Sequence, residues 1–331
     1  MRILGIETSC DETAVAVVEN GTKVLSNLVN SQERVHARYG GIVPEVAARK
    51  HLEAILPLVD KAVEDWRKID AIAVTNGPGL IGSLLLGVNV ASALAYIKNK
   101  PLIPTNHILG HIYAGLLGRK NTKIFPVIAL VVSGGHTDLF YLKNHGNIKR
   151  LGQTLDDAIG ESFDKVAKLL DLGYPGGPAI QKSSEKIKPN GRFGLSVPLK
   201  DDKSLNFSYS GIKTAVLDIV RGQKLSMKDK KELAAEFQDV ATEHILNKLR
   251  LAARKYKPKT ILVGGGVSAN KMLRSKLEKF AKDNKINIHI PDFQYCTDNA
   301  AMIAGAAYFQ KDKKGRDWYN VEVSPNLVLK V

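Results

Sequence analysis

Cysteine is scarce: two residues in 331, Cys10 and Cys296. Such a pair makes no disulfide framework, which excludes the small stapled secreted classes and predicts a reduced, intracellular protein. No leader is expected either. The chain runs straight into a strand-like stretch, RILGIETS, with no basic n-region or cleavage site, and the expected location is the cytoplasm. There is no low-complexity tract, tandem repeat or clean membrane span. Residues 80–97, LIGSLLLGVNVASALAYI, approach the length of a span. Asn89, the small residues and the preceding Gly-Pro-Gly turn predict instead a fully buried helix of an α/β layer, so no membrane partner is expected. Acidic residues fall short as well, 33 against 48 lysines and arginines, for a net charge of +15. That excess suits an acidic partner, nucleic acid first. A lysine-biased composition would leave the same excess without any ligand.

The length fits two domains. ILGIE and TAVAVVE are β-rich runs joined by the polar turn TSCDE. FPVIALVV, SGGHT and DLFYLK repeat that plan about 125 residues later, as an internal duplication would. Alternating material fills the interval: a helix from His51 to Trp66, a strand at IDAIAVTNG, the apolar helix, a short strand KPLIPT and a helix over 106–117. Later come an amphipathic helix ESFDKVAKLLDL ended by GYPGGP, a long helix over 231–256, a strand KTILVGGG, a helix over 270–283, a strand INIHIPD and a closing helix over 299–310. The polar segment 182–206 is expected to be a long surface loop.

Two loops suit phosphate. In VVSGGHT the glycines let backbone N–H groups approach an anion, and Ser133, His136 and Thr137 are potential donors. In ILVGGGVSANKML a strand runs through Gly264–Gly266 into a helix opening near Asn270. A loose G-x-G-x-x-A pattern there invites a dinucleotide fold. The pattern comes late, no acidic residue closes a second strand about twenty residues on, since Asp292 comes too late, and paired hairpins are foreign to that fold.

The stretch PTNHILGHIY sets His107 and His111 four apart. On a helix their Cβ atoms would lie about 5–6 Å apart, near enough to chelate one ion; two ordinary hydrogen-bonded histidines are the plainer alternative. A zinc peptidase needs a glutamate beside the first histidine to activate water, and Ile108 stands there.

Taken in order, GIETSCDETAVAVV, GGIVPEVAARKH, NHILGHIYAG, VVSGGHTDL, GESFDKVAKLLDLGYPGGP, YSGIKTAV, GGGVSAN and CTDNAAMIAGA resemble the TsaD family. This is the tRNA threonylcarbamoyltransferase family also known as Gcp, related to the archaeal and eukaryotic Kae proteins. The resemblance runs from residue 2 to about 307, and GIETSCDETA is worded like the bacterial or organellar branch.

The resemblance implies an α/β, two-domain actin, heat-shock ATPase and sugar kinase-like (ASKHA) fold, with the active site in the interdomain cleft. The expected division is 1–124 with 299–331 against 125–298, which puts Asp298 at the edge of the second domain. It implies a metal site of His107, His111 and Asp298, holding one divalent ion per chain, Fe2+ or Zn2+. The alternative for Asp298 is an N-cap of the helix over 299–309. It implies binding of ATP or threonylcarbamoyl-AMP, with Val131, Val132, Ser133, Gly134 and Gly135 around the phosphate and acyl region, Asp164 and Gly177 at the ribose and adenine, and Asn270 facing the nucleotide. Glu12, with Asp11, is the candidate for assisting proton removal; both residues also suit a simple hairpin turn. Cys10 has no base near it in sequence, and His51 and His136 are expected to make hydrogen bonds. The implied reaction passes a threonylcarbamoyl group from threonylcarbamoyl-AMP to N6 of the adenosine following the anticodon, in tRNAs reading codons that begin with A. Implied partners are tRNA, a TsaB-like paralogue pairing through helices of domain one, a TsaE-like ATPase, and a TsaC-type enzyme that supplies the adenylate. The rival readings on the same fold are an ATP-dependent phosphotransferase of the sugar kinase type and an ATP-switched chaperone or filament module.

Overall fold

A computed structural model describes residues 1–39, 41–120, 123–310, 318 and 320–329. The other residues of the closing segment, 311–317, 319, 330 and 331, lie outside that set. The chain divides into two compact units, residues 1–123 with 291–331 and residues 124–290. The boundary expected after residue 298 therefore falls at 290/291. Asp298 belongs to the same unit as the two histidines.

In the first unit β1 (Arg2–Glu7), β2 (Glu12–Glu19) and β3 (Lys23–Ser31) form an antiparallel meander. A short α1 (Glu33–His36) and a long α2 (Pro44–Ala62) lead to β4 (Ala71–Gly77), α3 (Ile81–Ile97), β5 (Leu102–Asn106) and α4 (His107–Ala114). The sheet order is β3-β2-β1-β4-β5, with β4 and β5 parallel to their neighbours.

In the second unit β6 (Val127–Val132), β7 (Thr137–Asn144) and β8 (Asn147–Gln153) repeat the meander. Then come α5 (Ile159–Leu169), α6 (Gly176–Ser184), α7 (Ser210–Gly222), α8 (Met227–Tyr256), β9 (Thr260–Gly264), α9 (Lys271–Asp283) and β10 (Asn287–His289). The order β10-β9-β6-β7-β8 is that of the first sheet, so the duplication expected from the paired hairpins extends to the whole topology. The closing α10 (Ala300–Tyr308) returns to the first unit.

Side-chain size decides how the first sheet is covered. Leu4, Ile6, Val15, Val17, Ile72 and Val74 point to one face and meet Ile55 and Val59 of α2 and Val88 and Ala91 of α3. The opposite face offers Ala14, Ala16, Ala71 and Ala73, against which the alanine-rich α10 packs. A Cβ on Gly5 would run into the Ala300 carbonyl and Ala304, so β1 and α10 are in backbone contact.

Helix α3 corrects one expectation. It buries Leu84, Val88, Ala91 and Ala95 but exposes Ile81, Leu85, Tyr96 and Ile97, because it covers a single face of the sheet. No described helix is long and apolar enough to cross a membrane. Segment 182–206 also differs from a plain surface loop. Helix α6 runs to Ser184, and buried Glu236 of α8 accepts from Phe193 N and Leu195 N at 3.0 and 2.8 Å. Lys248, also buried, donates to the carbonyls of Leu199, Asp202 and Ser204. Two buried charges thus tie an irregular segment to a regular helix, each satisfied by backbone groups.

Candidate metal centre and nucleotide loops

Helix α4 begins with a strong cap: Asn106 accepts from Ile108 N and Leu109 N at 2.9 and 3.2 Å. That start fixes where His107 and His111 emerge, one turn apart, with ring centroids 4.6 Å from each other. Gly110, between them, lies against Met302 and Ile303 of α10, where a Cβ would stand 2.8 Å from the Ile303 methyl. Close packing of α4 on α10 brings the residue before α10 over the histidine face. Nε2 of His111 and of His107 lie 3.2 and 3.6 Å from Asp298 Oδ1. The possible ligand atoms of His107, His111 and Asp298 fall within 4.8 Å of one another. The N-cap of α10 is Asn299, which accepts from Met302 N at 3.0 Å, so the capping alternative for Asp298 is replaced by its neighbour.

The donor set fits a metal ion. His111 is fully buried, its Nδ1 has no hydrogen-bond partner among the described residues, and its Nε2 faces the Asp298 carboxylate at 3.2 Å. A buried imidazole left so carries a desolvation cost that a coordinating cation removes. Burial holds its pKa below the usual histidine value, which keeps the ring in the neutral, ligating form.

Glu7 was not anticipated. It ends β1 with no exposed surface, and its carboxylate accepts from Ser9 N at 2.6 Å and Thr75 Oγ1 at 2.7 Å. Its Oε2 lies 3.1 Å from His107 Nδ1. A carboxylate there fixes the proton on Nδ1 and leaves Nε2 as the ligand atom. Burial opposes ionisation of Glu7, but the facing His107 holds its pKa below the ordinary value. Burial likewise opposes a charged His107; Asp298 and Glu7 outweigh it and raise that histidine to about 9. The available signal was the acidic residue closing the apolar run ILGI of that strand.

The β1–β2 loop is held from below. Thr8 Oγ1 donates to Ser83 O at 2.9 Å, and Gly87 of α3 leaves no room for a Cβ beside Thr8. His51 bonds to Cys10 O through Nε2 at 3.0 Å and to Thr13 Oγ1 through Nδ1 at 2.8 Å, the expected hydrogen-bonding role. Glu12 is half-buried, and burial, Asp298 and Asp11 together push its carboxyl up to about 10. Burial raises the Cys10 thiol well above its usual value, so it is no ready nucleophile.

The second unit gathers the expected nucleotide loops at the ends of β6, α5 and β9. Val131 and Val132 are fully buried in the sheet; they support the loop and do not present side chains. The loop closes on itself through Ser133 N to His136 O at 2.8 Å and His136 N to Ser133 Oγ at 3.1 Å. Gly134 and Gly135 are exposed, and a Cβ on either would meet nothing within 4 Å. Gly160 N donates to Ser133 O at 3.2 Å, and a Cβ on Gly160 would strike Gly134, so the start of α5 abuts the loop. Gly265, at φ +91°, lies against the Val132 carbonyl. Thr137, expected as a donor to ligand, is buried and accepts from Ile159 N at 2.9 Å, serving α5 instead.

Asp164 lies one turn along α5 from Gly160 and accepts from Gly176 N at 2.7 Å, at the start of α6. Burial raises its pKa. Gly177 borders open space. Asn270 is turned inward: Oδ1 accepts from Leu273 N at 3.0 Å and Nδ2 donates to Gln238 Oε1 at 2.8 Å. It caps α9 and ties that helix to α8.

A profile of the TsaD family, tRNA N6-adenosine threonylcarbamoyltransferase, matches residues 23–305. The chain belongs to the TsaD family. A tRNA N6-adenosine threonylcarbamoyltransferase of Thermosipho melanesiensis is 50% identical over 334 residues, covering 99% of this chain and 100% of that one. A protein of that name from Bacillus subtilis is 47% identical over 339 residues, covering 99% and 96%. Among solved structures, HypF of T. kodakarensis superposes with TM-score 0.62 at 15% identity, over 94% of this chain and 48% of that one; the TsaD-family chain thus spans about half of that protein. Component A of Acidaminococcus fermentans (R)-2-hydroxyglutaryl-CoA dehydratase gives 0.55 at 13% identity, covering 94% and 98%. These likenesses concern the fold alone, which is the two-domain ASKHA class. Family membership displaces the sugar kinase and chaperone readings.

Proposed function

We infer that this chain acts as a tRNA N6-adenosine threonylcarbamoyltransferase, an acyltransferase. The carrying observation is full-length similarity at 47–50% identity to proteins of that name, with the histidine pair and glycine loops inside the matched span. In the proposed reaction, N6 of the adenosine following the anticodon attacks the carbamoyl carbon of threonylcarbamoyl-AMP. The N–C bond forms, the bond from carbon to the phosphate oxygen breaks, AMP departs, and N6 gives up a proton. The tRNAs are those reading codons that begin with A.

His107, His111 and Asp298 would hold the divalent ion; two imidazoles and one carboxylate suit Fe2+ or Zn2+. When bound, it supplies Lewis acidity toward the acidic groups of the donor. Glu7 sets the His107 tautomer. Glu12 is the group proposed to take the N6 proton, with Asp11 beside it. Burial first, then Asp298 and Asp11, push the Glu12 carboxyl up to about 10; a divalent ion on Asp298 would offset part of that repulsion, so the charge balance of this acidic cluster governs whether Glu12 can act as a base. Gly134 and Gly135 would face the donor's phosphate with backbone N–H groups, while Val131, Val132 and Ser133 hold the loop in shape. Asp164 and Gly177 would border the ribose and adenine of the adenylate or of ATP. Asn270 would shape that border through its cap.

The proposed location is the cytoplasm. A TsaC-type enzyme would supply the adenylate, and a TsaE-like ATPase and a TsaB-like paralogue would complete the assembly. The support for the paralogue is the apolar surface on adjacent helices of the first unit: Leu52 and Leu56 of α2, and Ile81 and Leu85 of α3, are 45–64% exposed. The deciding experiment is nucleoside analysis of tRNA from cells depleted of this protein, with transfer assayed from purified threonylcarbamoyl-AMP. Undiminished threonylcarbamoyladenosine in the depleted cells would sink the reading.

A further inference from the structure

The positive charge of this chain is not spread evenly. Residues 124–290 carry 29 lysines and arginines against 17 acidic residues, a net +12 of the total +15. Residues 250–285 alone hold eleven against Glu278 and Asp283. A lysine-rich composition would scatter its excess, whereas nine net charges lie between the last turns of α8 and the end of α9.

The fold turns that stretch into a groove. A cavity of about 520 Å³ is bordered by Arg250, Arg254, Lys257 and Lys285, with Phe280 and Asn284 beneath. It shares Arg250, Phe280 and Asn284 with a second hollow of about 330 Å³, where Lys276 and Lys279 stand. Glu243 and Asp283 also border the second hollow. Glu243 is already engaged by Arg250 at 2.7 Å and Lys276 at 3.6 Å. Arg254, Lys257 and Lys285 are exposed, with no ion-pair partner among the described residues.

Helix ends favour cations, since the C-terminal dipole carries about half a negative charge. That accounts for one lysine per helix, not for Arg254, Lys255, Lys257 and Lys259 in and after a single last turn. The backbone adds a separate observation. Lys257 and Lys285 follow α8 and α9 at φ +45° and +56°, the left-handed position where glycine is the favoured residue. Both helices end on a strained lysine, and both lysines border the same groove.

We propose that this groove of the second unit binds the phosphate backbone of tRNA. The inference rests on tRNA being the substrate and adds which face holds it. Several unpaired cations along one groove suit a row of phosphates, and the aromatic ring in its lining, Phe280, is buried and offers no stacking platform, which suits duplex backbone more than splayed bases.

The test uses the full chain and a tRNA transcript, with affinity measured by fluorescence anisotropy across a salt series. Arg254→Glu/Lys257→Glu/Lys285→Glu should weaken tRNA binding more than tenfold and reduce the log–log salt slope by about two to three. ATP binding should be unchanged. Lys257→Gly/Lys285→Gly should leave the melting temperature equal or higher while still lowering tRNA affinity several-fold, a pairing that no purely structural role produces. Wild-type affinity and salt slope in both variants would overturn the groove while leaving the transferase reading intact. A wild-type protein that neither binds tRNA nor modifies it would overturn both.

Discussion

Glu7 and His107 stand a hundred residues apart in the chain, and Glu7 Oε2 lies 3.1 Å from His107 Nδ1. One end of the imidazole is thereby occupied and the other turned toward Asp298. Glu7→Gln keeps the size but removes the charge that fixes the tautomer. Metal affinity should fall about 10–100-fold. Competition with a chelator of known strength measures it, and an unchanged dissociation constant would show that Glu7 has no part in orienting the ligand.

Replacing His107 and His111 together with alanine should abolish stoichiometric metal and most transfer activity, with the fold retained. Loss of His107 leaves buried Glu7 and Ser9 without their partner, and two buried rings are lost, so the variant should melt below the wild-type apoprotein while still unfolding cooperatively. Elemental analysis finding one iron or zinc per variant chain would put the ion elsewhere.

His244 makes an acid-stability prediction in the second unit. Burial first, then the charge of Lys248, lowers its pKa to about 4, against a weaker opposing pull from Asp156. Its Nε2 accepts from Ser208 N at 3.2 Å, which requires an unprotonated nitrogen. The unfolded histidine takes up its proton near 6.5, and the folded one resists until about 4. This group's contribution is therefore fully present above 6.5 and is lost as pH falls from 6.5 to 4, by at most about 3.5 kcal/mol at roughly 1.4 kcal/mol per unit. His244→Phe should remove that slope. Parallel stability curves for variant and wild type between pH 4 and 6.5 would refute it.

Two glycines near the same loop should respond oppositely. Gly265→Ala meets both a positive φ and the Val132 carbonyl, and should lower stability by about 1–3 kcal/mol or more. Gly134→Ala meets neither; its stability should change by less than about 0.5 kcal/mol, while ATP binding weakens if that loop faces phosphate. Thermal melts and calorimetry separate the two. Full ATP affinity in Gly134→Ala would remove the loop from the phosphate site.

Much of the architecture was legible as pattern. The paired hairpins announced a duplication because alternating β-branched runs around short polar turns have few other solutions, and the sheet orders repeat it. The third strands, Lys23–Ser31 and Asn147–Gln153, were not read, since edge strands with one wet face lose the apolar signal. The apolar helix at 81–97 misled about its burial because composition does not say how many faces a sheet covers.

The sequence by itself determined the family, the two-sheet plan and the histidine spacing, since each is local: a strand, a turn, one helical face. Only the tertiary structure decided that Asn299 and not Asp298 caps the closing helix, that Asn270 turns inward to Gln238, and that Glu7 stands behind His107. Those outcomes depend on which helix packs on which strand, and how closely. Gly5 and Gly110 settle that for α10 by the side chains they lack, and contacts between residues far apart in the chain, 32 positions for Asn270 and Gln238 and 100 for Glu7 and His107, leave no periodic trace in a linear sequence.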